Sequence, residues 1–420
     1  MKVKRQNTEL FKKILPFALL CAMLFSACSH KDEPVIAENT EPENKYSITA
    51  QAGEEYEIVP ETVTATLAVT GDIMVHSYQY EEAYDVQSGT YDFMHNFTDV
   101  KKYFDAADYA IGNFETVTAG EDVGISDYPC FNTPDSFLDS LQYSGIDFVT
   151  TANNHCMDKG TNGLLRTIEK LDEYGFDHTG TYADEESRNE IFIKDINGIK
   201  FAFLSYTYGT NGIPVKNEWN VNLMDRNLME ADIERAKALD PDFIVVLPHM
   251  GNEYELYPRD IFKDWVNFMF DCGADIILAS HPHVLQPMEV REITEDDGSV
   301  RNGYVIYSLG NFISSQTTPP RNAGIIVNLA FEKTGNEKAQ LSKVSFVPIW
   351  TQFRNAADKN HFVVRSVYEM LTLPEDELYA TVRRKDIARL KDIHYETTGM
   401  YFDEEIPLED IQDEYVFWEK

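Results

Sequence analysis

Basic residues are in short supply: 36 Lys and Arg stand against 71 Asp and Glu, a net charge of −35 over 420 residues. A body of that sign repels nucleic acid and anionic lipid, which excludes nucleic acid as a partner. An anionic substrate then has to be held locally, at a metal or in a small basic pocket. Cysteine is scarce as well. Cys21 lies in the N-terminal leader and Cys28 at its end, leaving Cys130, Cys156 and Cys272, an odd and widely spaced set that is no disulfide framework, with a single bridge left open. Long apolar runs are missing too. The run Ile14 to Phe25 has twelve residues where a membrane-spanning helix needs roughly 20, and no later segment is longer. The sequence holds no Gly-x-Ser-x-Gly elbow, Gly-x-x-x-x-Gly-Lys phosphate loop or Cys-x-x-Cys pair, and no evident repeat or low-complexity tract in its body. Cys156 beside His155 offers a thiol nucleophile, weakened because adjacent residues on a chain rarely face each other.

What is present is a large globular core, since 43% hydrophobic and 12% aromatic residues suffice for one big domain or two modest ones. Residues 1–27 differ from the rest. Lys2, Lys4, Arg5, Lys12 and Lys13 precede the apolar run, which ends Leu24-Phe25-Ser26-Ala27-Cys28, the pattern of a signal peptide. Small residues directly before a cysteine resemble a bacterial lipobox, although Phe25 stands where Leu is usual. The expectation is a lipidated Cys28 and an exported chain anchored to the outer face of the bacterial cell membrane; an ordinary cleaved signal or an uncleaved anchor are the alternatives. Residues 28–62 are polar and acidic and read as a flexible tether. The main domain is expected over 63–355 and a helical C-terminal extension over 356–420.

From Val63 onward, apolar strands alternate with amphipathic helices, as expected for α/β architecture whose sheets are covered on both faces. Strands are expected near 63–69, 109–113, 146–151, 190–196, 199–206, 242–248, 274–279, 303–309 and 324–332. Helices fit near 97–106, 134–143, 161–174, 228–239 and 258–271, with further helical periodicity in HFVVRSVYEML and over 376–392. Asn197-Gly198 between two apolar runs signals a hairpin with a type I′ turn, so the sheets are expected to be mixed.

Five segments share one property: strand residues end and polar groups able to bind metal follow at once, where open α/β sheets place their sites. They run Gly71-Asp72 to His76, Gly112-Asn113-Phe114-Glu115, Asn153-Asn154-His155, His249 to Glu253, and His281-Pro282-His283. Singly, each has a plain structural reading as turn, cap or satisfied polar residue. Jointly, four strand-end histidines alongside Asp72 and Glu115 point to a metal site, with His281 and His283 able to turn toward one centre.

GDIM, GNFE, TANNH, LPHMGNE, SHPHVLQP and YSLGNF, in that order over roughly 66–350, resemble the signature blocks of the CapA family of poly-γ-glutamate capsule proteins, itself similar to calcineurin-like metallophosphoesterases. The resemblance implies a layered α-β-β-α sandwich of the metallophosphoesterase type with mixed sheets. It implies Asp72 and His283 as ligands of a first metal, Glu115 at the bridging position, Asn154, His249 and His281 on a second metal, and His155 as the catalytic proton-handling residue. Such oxygen and imidazole donors suit Mn, Fe or Zn, one or two ions; a pair about 4 Å apart would activate water and clamp the attacked and leaving oxygens. His76, Asn153, Glu253 and Asn311 are candidate pocket residues, Asn311 at the mouth. Met74 departs from the pattern, standing where phosphoesterases carry the His of Asp-x-His, with His76 a conceivable substitute. The expected function is participation in synthesis, export or trimming of an anionic polymer, with the polymer or its synthase and export subunits as partners besides the membrane. A metal-dependent phosphoester or amide hydrolase outside capsule biosynthesis and a non-catalytic binding lipoprotein are the alternatives.

Overall fold

The computed structural model describes residues 46–48, 58–294 and 298–420. The leader, Cys28 and residues 29–45 and 49–57 of the tether lie outside the described residues. The described tether pieces, Tyr46–Ile48 and Ile58–Pro60, pair antiparallel with Tyr46 opposite Pro60.

Two mixed sheets make the body. The larger runs in the spatial order Asn360–Ser366, Gln340–Arg354, Ala323–Thr334, Thr62–Ile73, Tyr109–Phe114, Phe148–Thr150 and Asp177–Thr179, with Asn311–Ile313 and Tyr415–Glu419 pairing onto it. The smaller runs Met288–Thr294, Val300–Ile306, Ile276–Leu278, Phe243–His249, Ile199–Thr207 and Phe192–Ile196. Strands that lead into the candidate site are parallel to their neighbours: Asp72 is opposite Asn113, Asn113 opposite Thr150, and Val245 opposite Ile276.

Alternation along each strand sets the layers. Leu67 and Val69 face the other sheet and pack with Phe201, Phe203, Val245 and Leu247. Ala68, Ala110 and Val149 face outward onto Phe104, Phe137, Leu141 and Leu171 of the helices Lys101–Asp105, Ser136–Ser144 and Gly160–Tyr174. On the other side Ala202, Leu204, Ile244 and Val246 meet Met229, Ile233, Val266 and Met269 of Arg226–Lys237 and Asp260–Cys272. The result is the α-β-β-α sandwich. A fully buried Leu or Phe in its centre contributes about 1.5–3 kcal/mol, a reserve that offsets polar burial elsewhere.

The hairpin at Asn197-Gly198 is present, with φ of 54° and 87° and Ile196 opposite Ile199. The C-terminal region differs from expectation. HFVVRSVYEML divides into the strand Asn360–Ser366 and the short helix Val367–Thr372, because the β-branched Val363-Val364 pair sits in register against Thr351 and Gln352 and tertiary pairing outweighs helical periodicity. Tyr415–Glu419 also pairs with Gln340–Arg354. Residues 356–420 are therefore built into the larger sheet at both ends, and the helices Glu375–Thr381 and Arg384–Phe402 lie between. Among the described residues no helix is long and apolar enough to cross a membrane.

Candidate metal centre

Asp72, Glu115 and the Asn153-Asn154-His155 run lie at or just after the ends of three parallel strands of the larger sheet, and His249, His281 and His283 at or after the ends of two strands of the smaller. Carboxylates thus arrive from one sheet and imidazoles from the other. Gly71 makes the approach possible through space rather than a tight turn: an added Cβ would lie 1.9 Å from the Gly310 carbonyl oxygen, whose chain accepts a hydrogen bond from the Asp72 N–H at 3.0 Å. His281 and His283 reach the centre from left-handed backbone, φ 105° and 58°, a conformation that costs a non-glycine residue about 1–3 kcal/mol and persists only where the surroundings enforce it.

Two donor groups share Glu115. Asp72, Glu115 and His283 form one; Glu115, His249 and His281 form the other; in each, the ligand atoms lie within 4.8 Å of one another and all the residues are buried. His283 Nδ1 is 3.0 Å from Asp72 Oδ2, and His249 Nε2 and His283 Nε2 are each 3.6 Å from Glu115 Oε1. Burial, then the neighbouring Asp72, push the Glu115 carboxyl well above its ordinary range. Burial pushes His249 well below the usual imidazole range and His281 down to about 3, with neighbouring imidazoles adding to both. Neutral imidazoles are the form that ligates.

Glu115 Oε1 and His281 Nδ1 are buried with no hydrogen-bond partner. Leaving such an atom unsatisfied costs about 1–3 kcal/mol, and the oxygen and imidazole donors converging there fit a divalent transition metal.

Around this set the other anticipated residues take distinct places. Asn154 Oδ1 lies 2.8 Å from His249 Nε2. His155 Nδ1 is 2.7 Å from Asp158 Oδ2, which also accepts the Phe131 N–H; the imidazole packs edge-on to the Phe131 ring at 4.7 Å. Asn153 donates to the Phe114 carbonyl and accepts the His155 N–H, bracing the loop. Glu253 is exposed and joins His281 and His283 in a third, outer group of donors. Asn311 is not at the mouth: it is buried, with Oδ1 3.1 Å from His283 Nδ1 and its amide donating to the Arg321 carbonyl. His76 is not brought into any donor group. Its Nδ1 accepts the Ser315 N–H at 3.2 Å and lies 3.3 Å from Gln79 Oε1, and burial pushes it down to about 4. Met74 is buried beside it, so the first group has three donors and no replacement for the missing imidazole. Cys130, Cys156 and Cys272 are free, and burial pushes the Cys156 thiol up to about 12, against a nucleophilic role.

Two residues that sequence reading passed over belong here. Asn113 donates to Asp72 Oδ1 at 2.8 Å and also lies 3.4 Å from Glu115 Oε2 and 3.3 Å from His249 Nδ1, while its Oδ1 accepts from Thr150. Asp158 orients His155. The available signals were the GNFE block itself and a carboxylate three residues after a histidine.

Residues 66–316 match the model of the bacterial capsule synthesis protein PGA_cap family. The PGA biosynthesis protein CapA of Bacillus subtilis (strain 168) is 31% identical over 280 residues, which are 65% of this chain and 70% of that protein. The capsule biosynthesis protein CapA of Bacillus anthracis is 29% identical over 262 residues, 60% of each. Among solved structures, an NAD nucleotidase of Haemophilus influenzae overlaps 79% of this chain and 63% of its own at 13% identity and TM-score 0.43, and the calcineurin-like phosphoesterase YfkN of Bacillus subtilis 79% and 99% at 15% and 0.38; overlaps this loose carry no functional argument. By the extent of the family match, the chain belongs to the bacterial capsule synthesis protein PGA_cap family.

Proposed function

We propose that this protein acts at the outer face of a bacterial cell, lipid-anchored through Cys28, in the synthesis, export or trimming of an anionic capsule polymer such as poly-γ-glutamate. In this reading a divalent cation, Mn, Fe or Zn, is held by Glu115 with Asp72, His249, His281 and His283, and supplies Lewis-acid stabilisation of charge developing on an ester or amide oxygen. The observation that carries it is Glu115, whose buried Oε1 has no hydrogen-bond partner and which is shared by two buried donor groups, Asp72 and His283 on one side and His249 and His281 on the other.

The chain's own residues divide the remaining work. Asp158 fixes the His155 tautomer through Nδ1, leaving Nε2 to hold or release a proton to a leaving group. Asn113 and Asn311 hold Asp72 and His283 in place. Arg321 supports an anionic substrate: its guanidinium lies 3.6 Å over the Tyr254 ring, which is 6.1 Å from the His283 ring, and among the described residues no carboxylate pairs with it. On a body this acidic, one unpaired cation beside the centre offsets repulsion of a polyanion locally.

Purified protein loaded with Mn, assayed on a generic phosphodiester and on poly-γ-glutamate, tests the reading. Turnover of either, lost in His155→Ala and with a several-fold higher KM in Arg321→Ala, is expected; no turnover of either, with capsule unchanged in His155→Ala cells, defeats it. Met74 in place of an imidazole favours a second reading, binding of the polymer without cleavage. For that reading, metal-dependent polymer retention by the His155→Ala protein without turnover by the wild type is the signature.

A further inference from the structure

The geometry points to a second metal site, sharing no residue with the centre described above: we propose that Glu82, His95 and His361 bind a zinc ion that staples the C-terminal region to the segment following Asp72.

Three distant pieces of chain supply the donors. Glu82 lies in the helix Ser77–Ala83, His95 in the 3₁₀ turn Met94–Phe97, and His361 in the strand Asn360–Ser366. Their ligand atoms all lie within 4.8 Å of one another. Glu82 Oε2 is 2.9 Å from His95 Nε2, and Glu82 Oε1 is 3.6 Å from His361 Nδ1. Donors around a tetrahedral zinc, at bond lengths of about 2.0–2.2 Å, stand roughly 3.3–3.5 Å apart, so both separations need adjustments of only a few tenths of an ångström. The two imidazoles lie parallel, ring centroids 5.3 Å apart with planes 9° from each other, which aligns them to face a common carboxylate.

A second observation comes from Asn96. It is buried, its amide nitrogen lies 3.3 Å from His95 Nε2 and donates to the Phe362 carbonyl, and its Oδ1 has no partner. A hydrogen-bonded triad requires a proton on His95 Nε2 toward Glu82, which leaves that nitrogen unable to accept from the adjacent amide. A lone pair directed at a cation cannot accept from it either, so in both cases the amide's acceptor is the Phe362 carbonyl, and the buried, unpartnered Oδ1 marks the cluster as incompletely satisfied. Side-chain exposures of 33%, 16% and 31% for His95, Glu82 and His361 leave an entry path from solvent. Two imidazoles and one carboxylate select zinc over calcium or magnesium.

Zinc content of the full-length protein, by elemental analysis after dialysis at neutral pH, tests the proposal. Wild type is expected to hold one equivalent more than His361→Ala. His283→Ala, which alters only the first centre, retains that equivalent, and His361→Cys, with another zinc-binding side chain, restores it. Equal zinc content and affinity in wild type and His361→Ala overturns the proposal. Should His361→Ala fail to fold, chemical modification of wild-type histidines read by mass spectrometry decides: zinc is expected to protect His95 and His361 at least several-fold, and unchanged reactivity of both refutes the site.

Discussion

The Asn113 amide reaches Asp72 Oδ1 at 2.8 Å from the neighbouring parallel strand, where Asn113 stands opposite Asp72 in register. The same amide nitrogen lies close to Glu115 and His249, so one uncharged side chain touches three ligands. Groups in this position typically change metal affinity about 10- to 100-fold when removed. Asn113→Leu is expected to weaken Mn binding by that factor in calorimetry while leaving the circular dichroism spectrum unchanged; affinity within about twofold of wild type contradicts the role.

Glu115 is expected to trade stability for function. Its carboxyl is fully buried, and burial together with the neighbouring Asp72 disfavours its charged form, a cost that a neutral amide of the same shape does not carry. Glu115→Gln should therefore unfold at higher urea than wild type in the presence of a chelator, and gain nothing on adding metal. A variant less stable than wild type without metal speaks against the reading.

Gly71 is fixed by van der Waals contact. The atom an alanine would strike at 1.9 Å is backbone, the Gly310 oxygen, with further backbone at 2.9 and 3.1 Å, and such atoms cannot swing aside as a flexible side chain does. Gly71→Ala should cost roughly 3 kcal/mol or more, visible as a lowered unfolding midpoint or loss of soluble protein. A midpoint equal to wild type would show that the two strands can separate without penalty.

Acid sensitivity should show in a pair outside the centre. Burial raises the Asp135 carboxyl, but hydrogen bonds from Arg166, at 2.7 Å to each oxygen, and from Thr118 outweigh it and hold the group below its ordinary 3.8. A depressed carboxylate contributes stability that is fully present above its unfolded pKa and is lost as pH falls through the folded one. The stability gap between wild type and Asp135→Asn should be constant from about pH 8 to 5 and close below about pH 4. A gap that persists undiminished at about pH 2.5 assigns the effect to packing instead.

The ligand-bearing strand ends were legible because histidine and carboxylate directly after an apolar run have few structural uses in combination. Asn113 was not, since asparagine at a strand end is the ordinary turn former and its partner, Asp72, is 41 residues away. His76 shows the opposite failure. It stands two residues past the position where an imidazole was wanted, yet Ser315, 239 residues on, takes its Nδ1, a contact no local pattern encodes. Among the fold elements the four longer helices of the main domain fall where periodicity placed them. Asn360–Ser366 does not, because seven residues with an apolar centre fit either period and only the strand Gln340–Arg354 beside it decides.

The strand that delivers Asp72 is hydrogen-bonded along its length to Ala323–Thr334, Thr70 opposite Ile326 and Thr62 opposite Thr334. A ribosome has therefore to add more than 250 residues after the first ligand leaves the exit tunnel before this antiparallel partner exists, although the parallel neighbour Tyr109–Phe114 is available much earlier. Until then the growing chain carries an unpaired apolar edge and no assembled centre, so translation halted short of that point yields an aggregation-prone product that lacks the centre.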